Sequence, residues 1–284
     1  MGATILRQAD QASGAFDGGA ILEHKPIGFP QDGGPGRPVG SLFYWANAWS
    51  EPGGLIGLHP HQGFEILSVV LAGGIEHYDT AYDRWLGLSA GDAQIIRAGK
   101  GVSHAEKILP HSRMLQIWFD PDLAVSLREP AGYEDYRADQ WVEEGWPTGG
   151  RVRWLRGAAT AGDPGAVGEE GATGNIQRGP LQMRTDASLF RLDLEPGRHV
   201  LDTTEGRRWA AFLLEGRARL EPDATSEYGQ SNGRGDSEFI LGEGDYILGD
   251  GKPWTLQAST VTTLFVVELP LDPGYKTYAQ QRGL

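Results

Sequence analysis

His59-Pro60-His61 and, about forty residues later, His104-Ala105-Glu106 are two ligand-x-ligand pairs, four side chains able to hold one metal ion. In an extended strand alternate side chains share a face, so each pair projects both of its members the same way. Two such strands facing each other across a barrel interior would close a site of three nitrogens and one oxygen. Pro60 stiffens the backbone between two histidines without removing either from that face. Of the seven histidines in the chain, three fall in these tripeptides, while His24, His77, His111 and His199 stand singly. That clustering separates a ligand set from ordinary partly buried histidines.

Imidazole with one carboxylate suits iron, manganese, nickel, copper or zinc, and geometry rather than raw affinity selects among them. Four protein ligands on an ion that favours six leave two adjacent positions for water, dioxygen or a substrate oxygen. A closed tetrahedral zinc site would leave none. The chain has no cysteine, so disulfides and thiolate sites are excluded and imidazole and carboxylate are the only strong donors. The competing reading of the same residues is a metal that merely fastens two strands.

The elements that must carry these residues read as strands. Forty-two Gly and seventeen Pro, spread along the chain, suit an all-β protein with many tight turns. Strand-like runs cover Leu42–Trp49, Phe64–Leu71, Ala93–Arg97 and Met114–Phe119, then Leu189–Leu194, Trp209–Leu214, Glu238–Leu241 and Thr260–Leu269. Short helices are expected at Glu134–Glu144 and Tyr275–Gln281. Both sets of strands share their punctuation, a Gly turn (Gly73, Gly216) and then Gly-Asp (Gly91-Asp92, Gly244-Asp245). The expected fold is therefore all-β, two tandem β-barrel or jelly-roll domains. Residues 1–150 form the metal-binding domain, 151–180 a Gly/Ala-rich linker, and 181–284 a second domain. A further insertion covers Pro222–Asp236. In the second copy, offsets counted from Gly216 land on Asp202 and Thr204, and Pro253–Ser259 holds no His or carboxylate, so that domain is expected to lack the metal. His199 is expected at a surface or strand end.

The stretch Gly54-Leu-Ile-Gly-Leu-His59-Pro-His61-Gln-Gly-Phe-Glu65, then Gly73-Gly-Ile-Glu-His77-Tyr-Asp79, then Gly91-Asp92 through Gly99-Lys-Gly101-Val-Ser-His104-Ala-Glu106 closely resembles the signature of the pirin family, within the cupin superfamily. The strong resemblance spans roughly residues 20 to 120. It implies a bicupin and a ligand set that falls on His59, His61, His104 and Glu106. Glu65, a ligand in many other cupins, is usually not one in pirins. One divalent transition metal per chain is expected, iron first, with manganese, nickel, copper or zinc also compatible, and no other cofactor. The activity most directly implied is a quercetin 2,3-dioxygenase-type oxidoreductase, with a flavonol and dioxygen as substrates. In that chemistry Glu106 accepts the proton of the flavonol's 3-hydroxyl, and the ring is cleaved with loss of carbon monoxide. The alternative is a metal-containing regulatory protein that binds a protein partner, and a weaker one is another cupin enzyme such as an isomerase or a thiol-type dioxygenase.

Around the site, Phe43, Trp45, Phe64, Leu115, Ile117 and Trp118 are candidates for an apolar pocket or for ordinary core. Gln94, Gln116, Glu76 and His77 are candidates to orient ligand imidazoles or to contact a substrate hydroxyl. Twenty-five basic against thirty-eight acidic residues give a net charge of −13, which disfavours a phosphate backbone as partner, so no nucleic-acid binding is expected. The absence of a signal peptide or of an eighteen-residue apolar run leads to the expectation of a cytoplasmic protein with no membrane association.

Overall fold

The computed structural model describes residues 3–159, 166–167, 176–221 and 239–284. Strands dominate it. β1 (Ala3–Leu6), β2 (Ala12–Phe16), β3 (Ile21–Ile27), β4 (Leu42–Ser50), β5 (Gly54–His61) and β6 (Glu65–Ala72) come first. β7 (Gly74–Asp79), β8 (Arg84–Ser89), β9 (Ala93–Arg97), β10 (Val102–Ile108), β11 (Ser112–Phe119) and β12 (Gly132–Tyr136) follow. Next are β13 (Val142–Gly145), β14 (Gly150–Ala159), β15 (Ala166–Val167), β16 (Ile176–Arg178), β17 (Ser188–Leu194) and β18 (Gly197–Leu201). The last are β19 (Arg207–Glu215), β20 (Ala218–Glu221), β21 (Ile240–Leu241), β22 (Tyr246–Gly249), β23 (Trp254–Ala258) and β24 (Thr262–Pro270). Two short helices, α1 (Leu123–Ser126) and α2 (Tyr278–Arg282), accompany them. No helix among the described residues is long and apolar enough to cross a membrane.

The chain forms two compact units, which exchange their ends. The N-unit comprises Asp10–Gln140, Leu181–Asp186 and Pro273–Leu284, and the C-unit comprises Met1–Ala9, Trp141–Pro180 and Ala187–Asp272. In the N-unit the strand order is β12-β9-β6-β11-β4-β3-β2 in one sheet and β5-β10-β7-β8 in the other. In the C-unit it is β1-β22-β19-β24-β17-β14, continued by β16 and β15, and β18-β23-β20-β21. Each unit is thus an open jelly-roll sandwich of two sheets with apolar residues between them, not a closed barrel. The chain is an all-β bicupin.

The exchange of ends has a local cause that also makes the internal repeat visible. Asp92 and Asp245, each after a left-handed glycine, accept the backbone N–H three residues back, Ser89 and Gly242, at 3.0 Å in both cases. Arg137, just past the edge strand β12, pairs with Asp92 at 2.8 Å, and Arg7, just past the edge strand β1, pairs with Asp245 at 2.7 Å. The backbone N–H groups of Ala138 and Gln8 complete the same cradle. The chain's first strand therefore does for the C-unit what β12 does for the N-unit, and a sequential cut at 150 and 181 does not describe the units. Gly73 and Gly216 make the matching turns, with φ of +65° and +94°. A Cβ there would lie 2.1 Å from Ser112 Oγ and 2.2 Å from the Val261 carbonyl, so glycine is required at both.

Two expectations fail locally. Residues 134–144 form no helix: β12 pairs antiparallel with β9 and β13 with β14, with a 3-10 turn Ala138–Gln140 between them. Edge pairing, with Tyr133 and Tyr136 buried, outweighs the local acidic and aromatic pattern. The expected linker at 151–180 is in its first part the strand β14, which pairs with β17 through Arg156. Residues 160–165 and 168–175 lie outside the described residues, as does the insertion at 222–236. The C-terminal helix is present as α2, opened by a capping box of Thr277 and Gln280.

Candidate metal centre

β5 and β10 do not face each other across the interior. They are hydrogen-bonded neighbours, with His104 directly opposite His59 and Val102 opposite His61. Side chains opposite each other on one face of an antiparallel pair stand about 5 Å apart at Cβ, so pairing alone brings the imidazoles together. A bulge between His104 and Glu106 then sets Glu106 against Ile56. On its other edge β10 pairs with β7, placing Asp79 opposite His104 and His77 opposite Glu106.

The rings of His59, His61 and His104 have centroids 4.4 to 4.8 Å apart. Their ligand-capable atoms lie within 4.8 Å of one another, and so do those of a second group, His77, His104 and Glu106. His104 belongs to both groups, while Glu106 falls in the second. Among the described residues both groups of this kind lie in the N-unit.

The Glu106 carboxylate is buried and held by Gln116 Nε2 at 2.8 Å, Gln94 Nε2 at 3.3 Å and Ser68 Oγ at 3.4 Å. Gln94 in turn accepts from the Tyr133 hydroxyl at 3.0 Å. Gln94 and Gln116 thus both contact Glu106, one of the candidate ligands. Glu76 does not: strand alternation turns Ile75, His77 and Asp79 inward and Glu76 outward, where it pairs with Lys107 at 2.8 Å. Asp79, Ser68 and Tyr133 escaped sequence reasoning. The alternation along β7 signals Asp79, whereas nothing local signals Ser68 or Tyr133.

The donors fit a metal. His61 Nε2, His77 Nδ1 and both ring nitrogens of His104 are buried without a partner in the protein, and an unsatisfied buried polar atom costs about 1–3 kcal/mol. Burial, and then the neighbouring imidazoles, lower the pKa of His61 and of His104 to about 3. Both rings are therefore neutral near pH 7 and keep a lone pair to donate. His59 donates from Nδ1 to the Gly57 carbonyl at 2.7 Å, which leaves Nε2 as its ligand atom.

Beside this cluster lies a cleft of about 560 Å³ lined by Phe29, Phe43, Phe64, Trp118, Tyr278 and Arg282. Trp118 meets the edge of His61 with centroids 4.7 Å apart, and its indole N–H donates to Gln116 Oε1 at 3.2 Å. One side chain therefore forms cleft wall and also touches the network around Glu106. Of the expected pocket residues, Phe43, Phe64 and Trp118 line the cleft, whereas Trp45, Leu115 and Ile117 are fully buried core.

The remaining histidines lie apart from the cluster. His199 is buried, not at a surface, and both of its nitrogens are satisfied, Nδ1 by Thr148 Oγ1 at 2.8 Å and Nε2 by the Glu195 carbonyl at 2.7 Å. His111 is exposed and pairs with Glu51 at 2.8 Å. His24 packs against Trp49. Glu65 is also committed, accepting from the Arg184 and Thr185 backbone and the Thr185 hydroxyl at 2.7 to 2.9 Å.

A bicupin with one histidine-rich interior is the class that fold and site define. The sequence profile of the Pirin family matches residues 47–119, which span β5 through β11 and every candidate ligand. A Pirin-like protein of Caulobacter vibrioides is 28% identical over 186 residues, 63% of this chain and 61% of that protein. Among solved structures, the bacterial pirin YhhW from Escherichia coli in complex with nickel(II) superposes with a TM-score of 0.66 at 18% identity, over 94% of this chain and 99% of that one. Quercetin 2,3-dioxygenase from Acinetobacter baumannii superposes with a TM-score of 0.64 at 19% identity, over 93% and 88%. At such identities the structural likeness is one of fold. The chain is pirin-like, and its matches span about 60% of the length of the curated relatives.

Proposed function

We propose that the chain is a metal-dependent dioxygenase of the pirin/quercetinase type, acting on a flavonol-like aromatic substrate. The observation that carries this reading is the aromatic cleft whose wall residue Trp118 packs directly on His61 of the imidazole cluster. His59, His61, His104 and Glu106 would hold one divalent transition metal, which when bound supplies Lewis acidity and electron transfer toward dioxygen. Phe43, Phe64 and Trp118 offer flat apolar faces for the substrate's rings, where stacking and exclusion of water favour an aromatic ligand. Glu106 is the proton acceptor for the substrate hydroxyl. Gln116, Gln94 and Ser68 donate hydrogen bonds to its carboxylate and fix its position.

Quercetin turnover under air by the iron-, manganese-, nickel- and copper-loaded protein, with ring-cleavage product and carbon monoxide both followed, tests this reading. Glu106→Gln should lower turnover by about 100-fold or more, while weakening metal binding less than His104→Ala does. Absence of turnover with every metal, in loaded and folded protein, would transfer the reading to a metal-dependent regulator that binds a protein partner.

A further inference from the structure

β10 is the middle strand of the candidate site. On one side it meets β5 with His59 and His61, on the other β7 with His77, and its own donors, His104 and Glu106, stand between. The outer group, His59, His61 and His104, has two part-exposed members, whereas every member of the inner group, His77, His104 and Glu106, is 0 to 1% exposed.

His77 is prepared as a ligand is prepared. Its Nε2–H donates to Asp79 Oδ2 at 3.0 Å. Asp79 Oδ1 is itself anchored by the backbone N–H groups of Ala81 at 2.7 Å and Tyr82 at 2.8 Å. Tyr133 stacks on the ring at 4.4 Å and 11°, which fixes its plane. A carboxylate that orients an imidazole and sets its tautomer is the usual support of a metal-ligating histidine. It leaves the lone pair on Nδ1, the buried atom with no partner in the protein. The C-unit supplies the contrast: His199 is as deeply buried, and a structural role there has satisfied both of its nitrogens.

We propose that His77 is a metal ligand, and that the metal has a second, inner position formed by His77, His104 and Glu106, alternative to the outer one. This rests on reading the cluster as a metal centre. A neutral imidazole has a single lone pair, so His104 serves one ion at a time and the two positions exclude each other. The chain then binds one ion, either at an outer position within reach of exogenous ligands or at an inner one sealed from them.

The test is Co(II) titration, whose visible d–d absorption reports the ligand field, alongside elemental analysis and circular dichroism. The His59→Ala/His61→Ala protein should stay folded, because both residues are part-exposed, and should bind one equivalent of Co(II) with a spectrum distinct from that of the wild type. Adding Asp79→Asn to that protein should weaken Co(II) binding by about 10- to 100-fold, the usual effect of losing such a supporting group. A folded double variant that binds no Co(II) while the wild type loads normally would overturn the inner position and leave the metal centre standing. So would an affinity that Asp79→Asn leaves unchanged. A wild type that takes up no Co(II) would remove both.

Discussion

Strand for strand, β5-β10-β7-β8 of the N-unit corresponds to β18-β23-β20-β21 of the C-unit, and the pairing register aligns their interiors position by position. Ile108 stands opposite Gly54 and Ile75 as Ala258 stands opposite Gly197 and Ala218. Two residues along, Glu106 and its neighbour His77 correspond to Leu256 and Leu220. A further two along, His104 opposite His59 corresponds to Trp254 opposite Leu201. On the larger sheets the cross-strand row Gln94, Ser68, Gln116 corresponds to Ile247, Ala211, Val266. The counterparts of the polar residues, Leu201, Trp254, Leu256, Leu220, Ile247, Ala211 and Val266, lie in one continuous apolar cluster, whereas the N-unit's apolar residues form separate clusters. The fold does not need the polar interior. The site is a set of polar replacements at inward positions of a sandwich that closes without them, and it stays buried because those residues satisfy one another or retain lone pairs for a metal.

Metal content breaks or sharpens this contrast most strongly. His104→Ala should take the protein from one transition metal per chain to almost none, an affinity loss of at least about 100-fold. His199→Ala and His111→Ala should leave content unchanged by elemental analysis. Two equivalents per chain, or a metal near Asp202 or His199, would end the distinction.

Stability should divide the other way. Trp254→Ala, in the continuous core, is expected to cost about 3–5 kcal/mol of C-unit stability with metal content unchanged. Metal at 100 times its dissociation constant should stabilise the N-unit by about 2.7 kcal/mol. Hydrogen exchange resolved by segment separates the two, and metal-dependent protection of equal size in β18 to β24 would contradict the assignment.

An acid-dependent term should also be confined to the N-unit. Asp120 is buried, and its carboxylate accepts from the backbone N–H groups of Tyr278 and Ala279 at the start of α2. Burial raises its pKa from 3.8 to about 6 despite those bonds. A carboxyl whose folded pKa lies above its unfolded value stabilises the fold most below pH 3.8, and that contribution fades as pH rises through about 6. The ionised form then costs up to about 3 kcal/mol at neutral pH. Asp120→Asn should therefore be neutral or stabilising at pH 7. Asp120→Ala, which strands the two N–H groups, should cost about 1–3 kcal/mol. Denaturant midpoints at pH 5 and pH 7.5 check both, and a wild type whose N-unit gains stability from pH 5 to 7.5 through this carboxyl would refute the sign.

Residue types and spacing made the candidate donors His59, His61, His104 and Glu106 legible, because H-x-H and H-x-E on strands declare a shared face. The strand runs and the Gly and Gly-Asp punctuation carried the repeat. What stayed hidden depends on pairing across the chain. Neighbouring rather than opposed β5 and β10, and the approach of Asp79 to His104, follow from register, which no local pattern displays. Offsets counted from the Gly216 turn gave Asp202 and Thr204, whereas hydrogen bonding puts Leu201 at the place of His59. Unequal strands and the bulge of β5 against β10 defeat such counting. The exchanged ends were invisible for the same reason, since nothing in Ala3–Leu6 says that its partner strand begins at Tyr246.

The smallest expected effect bears on the repeat itself. Arg137 and Arg7 occupy equivalent places: each holds the aspartate of a Gly-Asp turn and also reaches a carbonyl of the outer strand of the smaller sheet, Gly87 for Arg137 and Ile240 for Arg7. In both cradles the aspartate keeps two backbone N–H donors when the arginine is removed. The guanidinium side chains are 52% and 30% exposed, so water and salt screen each pair. Arg137→Ala and Arg7→Ala should accordingly each cost about 0.5–1 kcal/mol, agree with each other to about 0.5 kcal/mol, and leave metal content untouched. Paired denaturation curves measure this. A cost above about 2 kcal/mol for one with none for the other would mean that the two edge strands are held by different physics, and the equivalence of β1 with β12 would have to be given up.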